Sequence, residues 1–152
     1  MDSFAEASHR AGPSLSVLAV VTRVWAAGPR VLLVRRANPP QPRHWGFPGG
    51  KVEWGEDFGR AAIRELKEET GIEGANPVAF DTIDLILPDL TDAHSGGAYH
   101  HLMIAVRLDW LAGEPLASDD ALEARWAALA ALPQPLCADV ARVAAEALAL
   151  PR

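Results

Sequence analysis

The stretch from Gly50 to Ile72, GKVEWGEDFGRAAIRELKEETGI, carries five glutamates and one aspartate. Like charges three or four residues apart destabilise a helix, so the crowding needs a reason. Asp57 is a suitable N-cap, because a short acidic side chain accepts from the backbone N–H groups that a first turn leaves unpaired. Gly71 supplies a left-handed stop. Between them the spacing predicts a helix of about 13 residues, on which Glu65, Glu68 and Glu69 share an arc of roughly 100°. Ala62, Ile63, Leu66 and Thr70 fill the neighbouring arc, so one face packs and the next is a carboxylate cluster. Arg64 and Lys67 fall on the flank away from the cluster, where neither neutralises its centre. Glu56, just before the cap, is placed to pair with Arg64 about two turns along and to brace the loop against the helix. Two readings compete: a solvated acidic face, or a cradle for divalent cations. Hard cations such as Mg²⁺ take oxygen ligands and prefer one or two carboxylates plus substrate phosphates. The diglycine Gly49-Gly50 favours the cradle, since a backbone carbonyl can approach a metal closely where no side chain intervenes.

Outward from this segment, short apolar runs alternate with turn residues. SVLAVVTRVW (Ser16 to Trp25) and RVLLVRRA (Arg30 to Ala37) read as a hairpin of two β-rich strands. The proline-laden NPPQPRHWGFP that follows reads as an extended loop. PVAFDTIDLIL (Pro77 to Leu87) and YHHLMIAVRLDWL (Tyr99 to Leu111) look like a second long hairpin around the loop PDLTDAHSGGA, and LEARWAAL (Leu122 to Leu129) like a further strand. In LCADVARVAAEALAL, the residues Leu136, Val140, Val143, Ala144 and Leu148 recur at helical spacing, which predicts an amphipathic helix packed on the sheet. The expected architecture is α+β, a mixed central sheet sandwiched between two main helices. Residues 1–14 read as a frayed tail and 15–152 as the domain.

With 152 residues, about half of them apolar, the chain can bury a sizeable core. The longest apolar run has strand length, far below the roughly 20 residues a membrane span needs, so no membrane partner is expected. The start is acidic and lacks an apolar run, unlike a secretory or transit segment. A single cysteine excludes an internal disulfide and favours the cytoplasm. A formal net charge of −6 argues against polymeric nucleic acid as a partner, and makes cations the natural intermediaries for a small anionic substrate.

Gly50, then Glu56 after five residues, Arg64-Glu65-Leu66 after seven more, then Glu68-Glu69, Gly71 and Ile72 resemble the Nudix box in full. Seven fixed letters at usages of roughly 5–8% each coincide by chance less than about once in a million starts. The resemblance implies a Nudix-type α/β/α sandwich and hydrolysis of a diphosphate joined to another group, with Mg²⁺ or Mn²⁺ as cofactor. It places Gly50, Glu68 and Glu69 as metal ligands, Glu65 as ligand, general base or both, and Glu56 with Arg64 as the bracing pair. Glu65 and Glu69 are accordingly the expected catalytic residues. An additional acidic ligand after GEP falls at Asp119 or Asp120, with turn residues as the alternative reading.

Outside the box, RVLLVRRANPP…HWGFPGGKVEWGE and GEPLASDDALEARWAAL resemble short bacterial family members that act on ADP-ribose, which would give AMP and ribose 5-phosphate. The chain is also similar to the member that sanitises 8-oxo-dGTP, although that enzyme reads its base with a late asparagine and this chain has none beyond Asn76. Arg36, Trp45 and Lys51 are candidate substrate contacts. Strand alternation sends Arg35 and Arg36 to opposite faces, so at most one reaches the substrate. Trp45 is a candidate stacking platform and Trp126 a core residue. His100 and His101 read as solvent-facing or strand-packing. A non-catalytic nucleotide sensor is the reading of another class, but sensors lose box glutamates and every one is present here. The resemblance also allows a homodimer.

Overall fold

A computed structural model describes residues 12–88, 98–118 and 120–151. Most of the expected N-terminal tail, most of the loop after Pro88, and Asp119 lie outside the described residues. The expected sandwich is found. Strands β1 (Ser14–Trp25), β2 (Gly28–Arg36), β3 (Trp45–Gly46) and β4 (Gly49–Lys51) precede helix α1 (Phe58–Thr70). Strands β5 (Glu73–Pro88), β6 (Ala98–Ala112) and β7 (Ala121–Ala127), a 3₁₀ turn (Leu129–Ala131) and helix α2 (Val140–Ala149) follow.

All seven strands form one mixed sheet whose main path runs β3-β2-β1-β6-β5. β1 lies parallel to β6 from Ser14↔His101 to Thr22↔Asp109, while its other edge carries β4 at one end and β2 at the other, both antiparallel. β7 covers the far edge of β2. A strand flanked on both edges and covered on both faces has to be apolar on both faces. β1 meets this with Val17, Ala19, Val20 and Val21, all at 0% exposure. Alternation then divides the core in two. Val17, Ala19 and Val21 pack with Ala61, Ala62 and Leu66 of α1. Val20 packs on the opposite face with Val140, Val143 and Ala144 of α2. The small alanines on each helix let its axis come close to the sheet.

Helix α1 is built as its sequence indicates. Asp57 Oδ1 accepts from the Arg60 N–H at 2.8 Å, and Gly71 takes φ 75° and donates its N–H to the Lys67 carbonyl. Both expected hairpins form, the second with three register shifts in β5.

Several elements differ from the sequence reading: β5 starts at Glu73 rather than Pro77, and β7 ends at Ala127 with Leu129 in the 3₁₀ turn. Trp45–Gly46 leaves the proline-rich loop to pair with Val34 and Arg35 of β2, because only two residues are needed where β1 has already diverged from that edge. Helix α2 starts at Val140 rather than Leu136. The backbone around Leu136 bridges to Trp45 instead, and Asp139 enters the helix in a left-handed conformation without capping it. Among the described residues no helix is long and apolar enough to cross a membrane.

Candidate active site

A cavity of about 270 Å³ opens on the α2 side of the sheet. Its apolar wall includes Leu18, Phe47, Ile83, Leu85, Met103 and Val143, and its polar end gathers Arg36, Lys51, Gly49, Gly50, Glu69 and Asp120. Glu69 of α1 therefore reaches a cavity on the face opposite its own helix. The diglycine makes this possible. A Cβ on Gly49 would strike the Val17 carbonyl oxygen, and a Cβ on Gly50 would strike both carboxylate oxygens of Glu65. Gly49-Gly50 is the gap in the sheet through which the acidic end of α1 meets the cavity.

The bracing pair is present. Arg64 Nε donates to Glu56 Oε2 at 2.7 Å and Nη2 to Glu56 Oε1 at 2.9 Å, a two-pronged contact that fixes the guanidinium plane. This holds the Glu56 carboxyl down at about 2. Arg64 Nη2 also donates to the Lys51 carbonyl at 3.1 Å, tying the strand after the diglycine to the helix.

One expectation is corrected here. Arg64 does not stay clear of the carboxylate cluster: its Nη1 donates to Glu65 Oε1 at 2.9 Å and to Glu68 Oε2 at 3.2 Å. A guanidinium has five donors on a long stem, so with Nε and Nη2 engaged by Glu56 the remaining nitrogen still reaches one residue and one turn onward.

The convergence of Glu65, Glu68 and Glu69 is consequently only partial. The Glu65 side chain is 14% exposed and sits against Gly50, whereas Glu68 is 50% exposed and faces Arg64. Glu69 reaches the cavity. Burial raises its carboxyl to about 8, with repulsion from Glu65 and Asp120 adding to the shift while the Gly49 N–H and Arg36 oppose it. Burial likewise raises Glu65, against the Arg64 hydrogen bond. Among the described residues no three His, Cys, Asp or Glu side chains already stand as a closed ligand set. The donor chemistry nevertheless fits a hard dication: the donors are all oxygens, and a buried carboxylate is held protonated for want of positive charge. Glu65, Glu69 and the Gly50 backbone are the groups that could hold it.

Of the candidate substrate contacts, Arg36 and Lys51 line the cavity. Arg36 Nε donates to the Pro40 carbonyl at 2.9 Å, which leaves the rest of its guanidinium for a ligand. Arg35 points the other way, to Glu123. Trp45 is corrected: it is 4% exposed, packed within the α2-side core, and carries Arg125 over its ring at 4.8 Å. Pairing with β2 and the bridge to Leu136 draw the ring inward, so it offers no open face to a base. Asp120 lines the cavity and accepts from Asn38 Nδ2 at 2.8 Å.

His101 was missed as a site residue. It lines the cavity, stacks on Tyr99 with centroids 4.4 Å apart, and meets Ser16 Oγ through Nδ1 at 3.0 Å. Burial, then Lys51 and Arg36 nearby, lower its pKa. Only the parallel register of β1 on β6 brings Ser16 to His101; the signal in the sequence is no more than alternation of Tyr99, His101 and Met103 along one face.

A sheet sandwiched by two helices, with a glycine gap beside a helical carboxylate and a cavity that holds Arg36 and Lys51, is the arrangement the chain presents. The family model of the NUDIX domain matches residues 14–148, and the chain belongs to the Nudix family. It is 34% identical over 105 residues to an ADP-ribose pyrophosphatase of Methanocaldococcus jannaschii, covering 69% of this chain and 58% of that protein. It is 36% identical over 103 residues to a Mycobacterium tuberculosis protein provisionally named 8-oxo-dGTP diphosphatase 2, covering 66% of each. The matches thus span 58% and 66% of those relatives' lengths. The crystal structure of a MutT NUDIX hydrolase from Burkholderia pseudomallei superposes with a TM-score of 0.73 at 32% identity, covering 90% of this chain and 98% of that one.

Proposed function

We propose that the chain is a divalent-cation-dependent pyrophosphohydrolase that cleaves a nucleoside diphosphate linked to another moiety, with ADP-ribose as the foremost substrate. The observation that carries this reading is the junction at Gly49-Gly50, where Glu65 lies against Gly50 and Glu69 enters a cavity holding both Arg36 and Lys51. Water adds to one phosphorus, the bridging P–O bond breaks, and ADP-ribose would yield AMP and ribose 5-phosphate. A bound Mg²⁺ or Mn²⁺ would neutralise phosphate oxygens and acidify water. Arg36 and Lys51 supply the positive charge that orients the diphosphate. Glu65 and Glu69 are the carboxylates able to take the proton of the attacking water, and Arg64 holds Glu65 in one orientation. The apolar wall suits a nucleobase.

Release of pyrophosphate from a nucleoside triphosphate, including an oxidised one, is the second reading, favoured by the Mycobacterium tuberculosis relative. The full cations lining the cavity are Arg36 and Lys51 among the described residues, which suits a diphosphate better than a more highly charged chain. The compartment we assign is the cytoplasm. The test is incubation of the pure protein with Mg²⁺ and ADP-ribose, NADH, diadenosine polyphosphates, GDP-mannose or nucleoside triphosphates, with products resolved by chromatography. AMP from ADP-ribose supports the first reading and pyrophosphate from triphosphates the second. A panel left intact with one nucleotide tightly bound would establish a sensor instead.

A further inference from the structure

The last turn of α1 carries Glu68 and Glu69, and a helix leaves its last four carbonyls without intrahelical partners. Here all four are occupied, three of them by one distant segment. The Lys67 carbonyl accepts from the Gly71 N–H at 2.9 Å and the Thr70 carbonyl from the Leu116 N–H at 2.9 Å. The Glu68 carbonyl accepts from Ser118 Oγ at 2.6 Å. The Glu69 carbonyl takes both the Ser118 hydroxyl and the Ser118 N–H at 3.1 Å.

That segment is itself anchored at both ends. Trp110 Nε1 donates to the Gly113 carbonyl at 2.9 Å, and Arg23 pairs with Glu114 at 3.1 Å while lying over the Trp110 ring. Beyond Ser118, the Asp120 carbonyl accepts from the Ala37 N–H at 2.9 Å, and its carboxylate accepts from Asn38. The cap is therefore part of a strap from the end of the sheet to the cavity rim.

Water would satisfy carbonyls at an exposed helix end equally well, so what the strap adds is position. Helix ends fray, and this one must hold mutually repelling carboxylates beside the glycine gap. We propose that Ser118 is a positioning residue for the metal-binding carboxylates: by clamping the carbonyls of Glu68 and Glu69, it holds the last turn of α1 and Asp120 at a fixed spacing across the cavity rim. This inference rests on the metal-binding part of the function proposed above, and it assigns Ser118 no contact with substrate.

The test is a Mn²⁺ titration of substrate-free wild type, Ser118→Ala, Ser118→Thr and Leu116→Pro, with free Mn²⁺ read from its paramagnetic resonance signal and melting temperatures taken in chelator. Ser118→Ala should weaken Mn²⁺ binding about tenfold, as loss of a group that orients metal ligands does. Its metal-free melting temperature should fall by no more than about 4 °C, and Ser118→Thr, which keeps the hydroxyl, should recover most of the affinity. Leu116→Pro deletes the donor to Thr70 and should weaken binding in the same direction, which keeps the inference testable should Ser118→Ala not fold. Mn²⁺ affinity within about twofold of wild type in the folded variants overturns the proposal whatever happens to the melting temperature. So does a wild type that binds no Mn²⁺. A wild type that binds Mn²⁺ but hydrolyses nothing removes the hydrolase reading, and the affinity ratios still decide the role of Ser118.

Discussion

Glu69 sits where a carboxylate is least comfortable, buried beside Glu65 and Asp120 and held by the Gly49 N–H and the field of Arg36. A metal-free protein therefore keeps it protonated near neutral pH, its pKa having risen from 4.5 to about 8. A carboxyl whose folded pKa exceeds its unfolded value contributes stability that is complete below the unfolded pKa and is lost as pH rises through the folded one. Thermal melts in chelator should accordingly show wild type losing stability between about pH 5 and pH 8.5, with a flatter profile for Glu69→Gln. Bound cation reverses the preference, so metal affinity should rise over the same window. In turnover, Glu69→Gln should lose at least about a hundredfold in kcat with the far-ultraviolet circular dichroism unchanged, since charge that stabilises the reacting phosphoryl group is worth that much. Near wild-type activity would remove Glu69 from the machinery. Arg64 shows a different economy of charge: one guanidinium serves Glu56, Glu65 and Glu68 together with the Lys51 carbonyl.

At the scale of elements, β4 matters out of proportion to its three residues, because its glycines lie against the backbone of β1 on one side and a side chain of α1 on the other. The two should respond differently to one added methyl. Gly49→Ala meets the rigid Val17 carbonyl, and should destabilise the fold by about 1–3 kcal/mol in urea titration, as overpacking does. Gly50→Ala meets the end of the Glu65 side chain, which can swing aside. Its stability should change by less than about 1 kcal/mol while kcat/KM falls by roughly a hundredfold or more. Equal losses of stability in both variants would contradict the gap described at Gly49-Gly50. Helix α1 is likewise divided along its length: its start is secured locally by Asp57, and its end by the distant segment at Leu116–Ser118.

Across the whole molecule, one sheet separates two cores, with Leu66 fully buried on the α1 side and Val143 fully buried on the α2 side. Leu66→Ala should cost about 2–5 kcal/mol. Because the sheet lies between them, its effect should add to that of Val143→Ala within about 0.5 kcal/mol, measured by chemical denaturation of the single and double variants. A larger coupling would mean that the sheet transmits strain between its faces. The elements that could be read from the sequence are those fixed by neighbours in the chain: the N-cap at Asp57, the stop at Gly71, the period of α1 and the alternation of both hairpins. The pairing of Glu56 with Arg64 belongs with them, since two turns of a capped helix set its geometry. Trp45, His101 and Ser118 could not be assigned this way. Their surroundings come from strand register and loop docking, as when Ser16 meets His101 across 85 positions and Ser118 meets Glu68 across 50. The sequence by itself determined the helix and the order of its carboxylates, because capping and periodicity act within a few residues. Only the tertiary structure decided which carboxylate faces the cavity and which groups hold it there, because those contacts depend on how segments far apart in the chain are brought into register.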